Sequence, residues 1–293
     1  QGARAVTTVH LVDATYELFR AFFGAPPKQA PDGREIGGVR GLMATLIYLL
    51  QTEGATHVGC ATDHVIRSFG NDLWPGYKTE EGIADVLWQQ FPIAEDAMRA
   101  LGFVVWPMVD FEADDALATS AALLAPVCDQ VVICTVDKDL AQCVRGDHVI
   151  LRDRRRKTDL NEDGVKAKFG VAPVQIPDYL ALVGDTADGY PGIPGFGSKS
   201  AAALLRAFGS IDAIPDDPAK WPKEVRGAPR LASTLSESRE HAALFKRLAT
   251  LRTDAPATQT LDELRWRGPS PDLGAFCHAL GISDLVDRVP ARV

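Results

Sequence analysis

Nine carboxylates in five short segments carry most of the chemistry this sequence offers. Asp13, Asp63 and Asp137 each follow a β-branched run, at Thr7–Val12, His57–Thr62 and Val131–Val136. Glu112, Asp114 and Asp115 open a helical pattern, Asp139 follows Asp137 by two, and Asp185 and Asp188 stand three apart in a Gly-rich loop. One acid at a helix start is explained by capping and the macrodipole, but three within four residues exceed that need. Parallel strands of an open α/β sheet end on one edge, where ligands bind, so the topology predicts these acids on one rim. Carboxylates gathered there repel unless compensated. Mg²⁺ and Mn²⁺ are the fitting counter-ions because they prefer carboxylate and water oxygens, and an acid set without His or Cys disfavours zinc. Two such ions about 4 Å apart are the apparatus of in-line phosphodiester displacement. The competing reading is a set of acids scattered over a solvated surface. His64, beside Asp63, receives no role.

A second segment, Gly192-Ile193-Pro194-Gly195-Phe196-Gly197-Ser198-Lys199-Ser200, precedes a helical pattern at 201–208. Glycines at a helix start let backbone N–H groups approach phosphate. The spacing nearly matches a nucleotide P-loop, but Ser198 intrudes before Lys199 and the preceding residues 179–183 read as helix rather than strand. The alternatives are a hairpin between helices that grips a nucleic-acid backbone, and a plain packing turn.

The elements that must position these groups alternate. Strands are predicted at 7–12, 57–62, 103–106, 131–136 and 148–151, with helices at 38–50, 92–101 and 113–124 between them, a pattern of βαβ units around a mostly parallel sheet. From about Asn161 only helical segments follow, at 162–169, 173–183, 198–208 and 237–248; the Pro-rich stretch 214–229 reads as a surface excursion. The length of 293 residues fits about two domains. Five scattered Cys without a CxxC pair indicate reduced thiols. The longest apolar run, Leu42–Leu50, is too short to span a bilayer, and no secretory h-region is visible. A soluble cytoplasmic protein, associated with the nucleoid, is the expectation. The net charge of −8 argues against a general polyanion binder, yet setting aside the nine carboxylates turns −8 into +1.

These motifs together resemble the bacterial 5′-nuclease family, the 5′–3′ exonuclease domain of DNA polymerase I and its stand-alone relatives, which are similar to flap endonucleases. The resemblance rests on Leu11-Val12-Asp13-Ala14, Phe19-Arg20-Ala21-Phe22, Tyr77-Lys78, Glu112-Ala113-Asp114-Asp115, Asp137-Lys138-Asp139-Leu140-Ala141-Gln142, Phe169-Gly170-Val171 and Asp178 through Asp188 with the hairpin after it. It implies an α/β, PIN-like core with a mostly parallel central sheet at 1–172, including a clamp or arch at about 68–98. It also implies a small all-α helix–three-turn–helix subdomain with C-terminal helices at 173–293. By the same resemblance Asp13, Asp63, Glu112, Asp114 and Asp115 serve one Mg²⁺ or Mn²⁺, and Asp137, Asp139, Asp185 and Asp188 a second. Arg20 and Lys78 join Asp137 and Asp139 at the scissile phosphate, Tyr77 and Lys78 meet DNA, and Gly192, Gly195, Gly197, Ser198 and Lys199 hold duplex backbone, with K⁺ at the hairpin. The implied activity is 5′–3′ exonuclease and flap endonuclease action on DNA or an RNA–DNA hybrid, giving 5′-phosphate and 3′-hydroxyl ends in replication and repair. A monomer linked functionally to a DNA polymerase and a ligase, without membrane attachment, follows from the same likeness; an attenuated or non-catalytic branched-DNA binder is the alternative.

The clamp departs from the family pattern. Gly70 and Glu81 stand where the family has arginines, with Arg67 nearby as a partial substitute. Losing cations there weakens attraction for a 5′ single strand. The basic run Arg152–Lys157 reads either as a phosphate contact or as a solvated hairpin tip, and Trp74 as a stacking face or a buried ring.

Overall fold

The computed structural model describes residues 6–78, 83–257 and 260–291; Glu81 lies outside the described residues. In chain order the elements are β1 (Thr8–Asp13), α1 (Ala14–Gly24), α2 (Gly37–Gln51), β2 (His57–Asp63), α3 (Phe69–Leu73), α4 (Asp85–Trp88), α5 (Gln90–Ala100), β3 (Val104–Met108), α6 (Ala113–Leu124) and β4 (Gln130–Cys134). After them come β5 (Val149–Asp153), β6 (Thr158–Leu160), α7 (Glu162–Phe169), α8 (Ile176–Val183), α9 (Ser198–Phe208), α10 (Ala228–Glu237), α11 (Arg239–Ala249), α12 (Leu261–Leu264) and α13 (Leu273–Leu280). The chain divides into two compact units, one of Gln1–Ile66, Glu80–Val136 and Thr253–Val293, the other of Arg67–Thr79 and Asp137–Arg252. Among the described residues no helix is long and apolar enough to cross a membrane, and all five cysteines are free thiols.

In the first unit four parallel strands lie in the order β3-β2-β1-β4. Central strands covered on both faces read as continuous apolar runs, and Val9, Leu11 and Val12 of β1 are fully buried. Helix α2 supplies Leu42, Met43, Leu46 and Ile47 to the same core. Helix α6 is alanine-rich and buried over almost its whole surface, because small side chains let its backbone approach the strands closely. Gly59 on β2 has a similar cause: a Cβ there would lie 2.3 Å from the Trp106 indole of β3. Two of the expected strand ends are found, since β1 finishes at Asp13 and β2 at Asp63. The third is corrected. Strand β4 stops at Cys134, and Thr135 turns its hydroxyl to Asp13 Oδ2 at 2.9 Å, so the chain has left the ladder before Asp137.

The second unit contains the β5–β6 antiparallel hairpin and a set of helices in which α11 packs on α8. The basic run Arg152–Lys157 ends β5 and forms the turn of this hairpin. Arg152 is held by Asp159 through two bonds of 2.6 and 2.7 Å, and the turn accepts backbone N–H bonds from Arg155 and Arg156 at Asp153. The helix expected at 237–248 is found as α11, starting two residues later, and α10 precedes it. Ser238, at φ −113° and ψ 16°, leaves the helical region and separates them. The helix expected from 173 begins with a tight turn at Pro173–Gln175 before α8.

Candidate metal centre and nucleic-acid interface

In the first unit the acids are held by backbone donors at strand ends and helix starts. Asp13 caps α1, accepting from Tyr16 N at 2.9 Å through Oδ1. Asp63 Oδ1 accepts from Ala113 N at 2.8 Å, and its own N–H donates to Thr15 Oγ1 at 2.8 Å. Glu112 and Asp115 close a reciprocal capping box at the start of α6, with Glu112 N donating to Asp115 Oδ2 at 3.0 Å. Asp13, Glu112, Asp114 and Asp115 are all buried. The hydrogen bond from Ala113 ties the end of β2 to the start of α6, so Asp63 and the Glu112–Asp115 turn form one connected acidic edge. Arg20, on the second turn of α1, directs its guanidinium to Glu17 and to Thr45 Oγ1. Glu17 is itself 1% exposed, so this is a buried carboxylate orienting a half-buried cation. His64 is taken up by Glu95 on α5, 3.0 Å from Nδ1 to Oε1.

The second unit gathers the remaining acids more tightly. One carboxylate oxygen from each of Asp139, Asp185 and Asp188 lies within 4.8 Å of the others, and all three residues are buried. Asp137 sits at the rim and accepts from Asp139 N at 2.9 Å, a side-chain turn that sets the carboxylate spacing of this segment. Asp185 begins a closed loop. Its backbone pairs twice with Tyr190 at 2.9 and 3.0 Å, and its Oδ1 accepts from Ala187 N. Two ammonium groups lie against the cluster: Lys138 Nζ is 2.6 Å from Asp185 Oδ2, and Lys78 Nζ is 3.8 Å from Asp188 Oδ1. Burial opposes the Lys138 charge, but the bond to Asp185 and the charges of Asp139 and Asp137 outweigh it and raise its pKa. Asp139 is pushed well above the usual carboxylate range by burial, then by Asp137, Asp188 and Asp185.

This donor set fits a hard divalent cation. Four carboxylates against two ammonium groups leave a formal −2, which one such ion balances. Asp139 Oδ1 is buried and makes no hydrogen bond among the described residues, although buried polar atoms are normally paired. Every ligand atom is a carboxylate oxygen, the preference of Mg²⁺ and Mn²⁺.

Lys78 is positioned by the segment before it. Ser68 and Asn71 cap α3 reciprocally, and the Asn71 amide donates to the Tyr77 carbonyl. The Tyr77 ring lies over Gly70, where a Cβ would stand 2.4 Å from it. Gly70 is therefore a packing surface for the buried Tyr77, and Tyr77 is inside the unit with 3% exposure rather than on its surface. Trp74 meets Phe245 edge-on at 5.2 Å and donates from Nε1 to the Gly189 carbonyl at 3.0 Å. Lys78 N donates to the Asp188 carbonyl at 3.1 Å. These contacts strap residues 74–78 onto the acid-bearing loop 185–190.

The glycine-rich segment joins α8 to α9, so the strand that a P-loop requires is not there. Gly192, at φ 72°, packs against the backbone of Gly184 and Leu182, and Gly195 turns at φ 87°. Gly197 caps α9, and Ser200 Oγ bonds back to its N–H at 3.1 Å. Gly195, Gly197, Ser198 and Lys199 border a cavity of about 620 Å³, with Glu224 and Arg226 on its other wall.

Sequence reasoning did not assign Glu17, Thr135, Lys138 or Tyr190 to these sites. Lys138 had a signal, standing between two of the clustered acids; the others are ordinary core or turn residues until the chain folds.

Residues 8–170 match the family described as 5′-3′ exonuclease, N-terminal resolvase-like domain, and residues 171–272 match the 5′-3′ exonuclease C-terminal SAM fold. DNA polymerase I of Pseudomonas aeruginosa is 36% identical over 263 residues, covering 87% of this chain and 28% of that protein. DNA polymerase I of Bacillus caldotenax is 30% identical over 284 residues, covering 95% and 32%. The chain thus spans less than a third of these relatives' length. The fold is that of T5 5′-exonuclease solved with bound zinc, at TM-score 0.68, 19% identity, and 97% and 100% coverage. The catalytic core of Rad2 in complex with a DNA substrate shares it at TM-score 0.63, 14% identity, and 97% and 92% coverage.

Proposed function

The chain belongs to the 5′–3′ exonuclease family, and from that premise we propose that it hydrolyses DNA phosphodiesters at 5′ ends and single-strand junctions with divalent cations. The observation that carries this reading is the buried Asp139–Asp185–Asp188 cluster, whose ligand atoms lie within 4.8 Å. These three with Asp137 hold one Mg²⁺ or Mn²⁺, and Asp13, Asp63, Glu112, Asp114 and Asp115 hold another. Such ions supply a hydroxide nucleophile and neutralise charge on the phosphate.

The chain's own residues do the rest. Lys78 and Lys138 counter the acids before metal arrives and then face the substrate phosphate. Arg20, aimed by Glu17, offers a cation to substrate phosphate at the acidic edge of the first unit. The N–H groups at the start of α9, with Ser198 and Lys199, seat duplex backbone, and the carbonyls of the 192–197 turn suit K⁺. Gly70, occupied by the Tyr77 ring, offers no charge to a 5′ single strand, which favours trimming of paired ends over flap threading. Products with 5′-phosphate and 3′-hydroxyl ends suit a ligase or polymerase acting next, and an RNA–DNA hybrid presents the same backbone.

A side-by-side assay of 5′-flap, recessed, blunt and single-stranded labelled substrates in Mg²⁺, Mn²⁺ or EDTA tests this. Cleavage that requires metal and falls by orders of magnitude in Asp185→Ala supports the proposal. Junction binding without cleavage in any metal would make the chain a binding protein instead, and equal rates on flaps and recessed ends would refute the reading of Gly70.

A further inference from the structure

We propose that Tyr190 is a positioning residue of the acidic site in the second unit. Its hydroxyl donates to an oxygen in the coordination shell of the divalent cation that Asp139, Asp185 and Asp188 hold. The inference rests on the metal reading above and assigns a role to a residue outside the acid set.

Three observations converge on it. The backbone of Tyr190 pairs with Asp185 in both directions, at 2.9 and 3.0 Å, so the loop that presents Asp185 and Asp188 also fixes Tyr190. Its ring stacks on Phe245 at 5.5 Å and 21°, and Phe245 is in turn flanked by Trp74 and His241. Tyr190 is 1% exposed, and packing of this kind leaves its hydroxyl little freedom of place. That hydroxyl makes no hydrogen bond among the described residues.

A phenylalanine would satisfy the ring packing equally well, so the oxygen calls for its own explanation. In the acid cluster, Asp139 Oδ1 is likewise buried without a hydrogen bond among the described residues. One hydrated cation would pair both oxygens. A tyrosine hydroxyl carries a proton at neutral pH, so the group acts as a donor. Donors that hold the atoms around a metal, rather than the metal itself, commonly change metal affinity by about 10–100-fold.

The test uses the full chain as wild type, Tyr190→Phe and Asp139→Asn. Mn²⁺ binding is followed by the loss of the free-ion EPR signal, and thermal unfolding is measured in EDTA and in Mn²⁺. The expected result is about tenfold weaker Mn²⁺ binding in Tyr190→Phe, with an unchanged or higher Tm in EDTA, because the substitution removes only an unpaired hydroxyl. Equal Mn²⁺ affinity in wild type and Tyr190→Phe, with weaker binding in Asp139→Asn, would overturn this proposal and leave the metal site standing. A lower Tm of Tyr190→Phe in EDTA would overturn it by showing a purely structural hydroxyl. Equal Mn²⁺ binding by wild type and Asp139→Asn would overturn both it and the metal reading on which it rests.

Discussion

Asp139 is 2% exposed and shares its surroundings with three other carboxylates, so in EDTA its ionised form opposes folding. Asp139→Asn keeps the shape and removes the charge. It should raise metal-free stability by about 1–3 kcal/mol near neutral pH while abolishing Mg²⁺-dependent stabilisation and cleavage. Urea unfolding with and without Mg²⁺ checks both signs. The pH dependence follows from the direction of the shift. Asp139's folded pKa lies above the ordinary 3.8, so the native state binds the extra proton. Its contribution to metal-free stability is greatest below 3.8 and declines as pH rises towards the folded pKa. The difference between wild type and Asp139→Asn in EDTA should therefore shrink on acidification; a constant difference from pH 4 to 8 would contradict it. That Asp139, Asp185 and Asp188 belong among the clustered acids was readable from their spacing and motifs. Their pairing with Lys138, and the burial that sets their protonation, required neighbours distant in sequence.

Between elements, the contact of Gly189 with Gly76 positions Lys78. Gly189 has φ 81°, and a Cβ there would stand 1.9 Å from the Gly76 carbonyl oxygen. Gly189→Ala should cost about 1–3 kcal/mol and lower the cleavage rate at least tenfold by displacing Lys78 from Asp188. Gly197 provides the contrast. It caps α9 at φ −119° with no atom within 4 Å of an added Cβ, so Gly197→Ala should leave stability within about 0.5 kcal/mol of wild type while weakening duplex binding. Thermal unfolding together with DNA anisotropy separates the two variants. Similar Tm losses in both would refute this assignment of the glycines. Gly70 belongs at this scale too: the sequence showed a missing cation, and the structure adds the ring that requires its absence.

For the whole chain, setting aside the nine carboxylates proposed as metal ligands turns the −8 charge into +1. Affinity for duplex DNA should therefore depend on divalent cations and fall steeply with salt. Anisotropy with a recessed duplex in Ca²⁺ is expected to show binding at least about tenfold tighter than in EDTA, and weaker in 200 than in 50 mM KCl. Equal affinity in both buffers would show that the acids do not oppose DNA.

Sequence by itself determined the alternation of strands and helices, the segments that carry the acids and the family. These depend on local periodicity and on residues close together in the chain. It placed Asp13 and Asp63 at strand ends, because a strand's apolar run is contiguous. It misplaced the end of β4, since Thr135 leaves the ladder to bond Asp13, a residue 122 positions away. Tertiary structure alone decided which carboxylates share a cation's reach, which lysines neutralise them, and why Gly70, Gly76 and Tyr190 stand where they do. The physical reason is the same throughout: packing and electrostatics act over a few ångströms in space, whatever the separation along the chain.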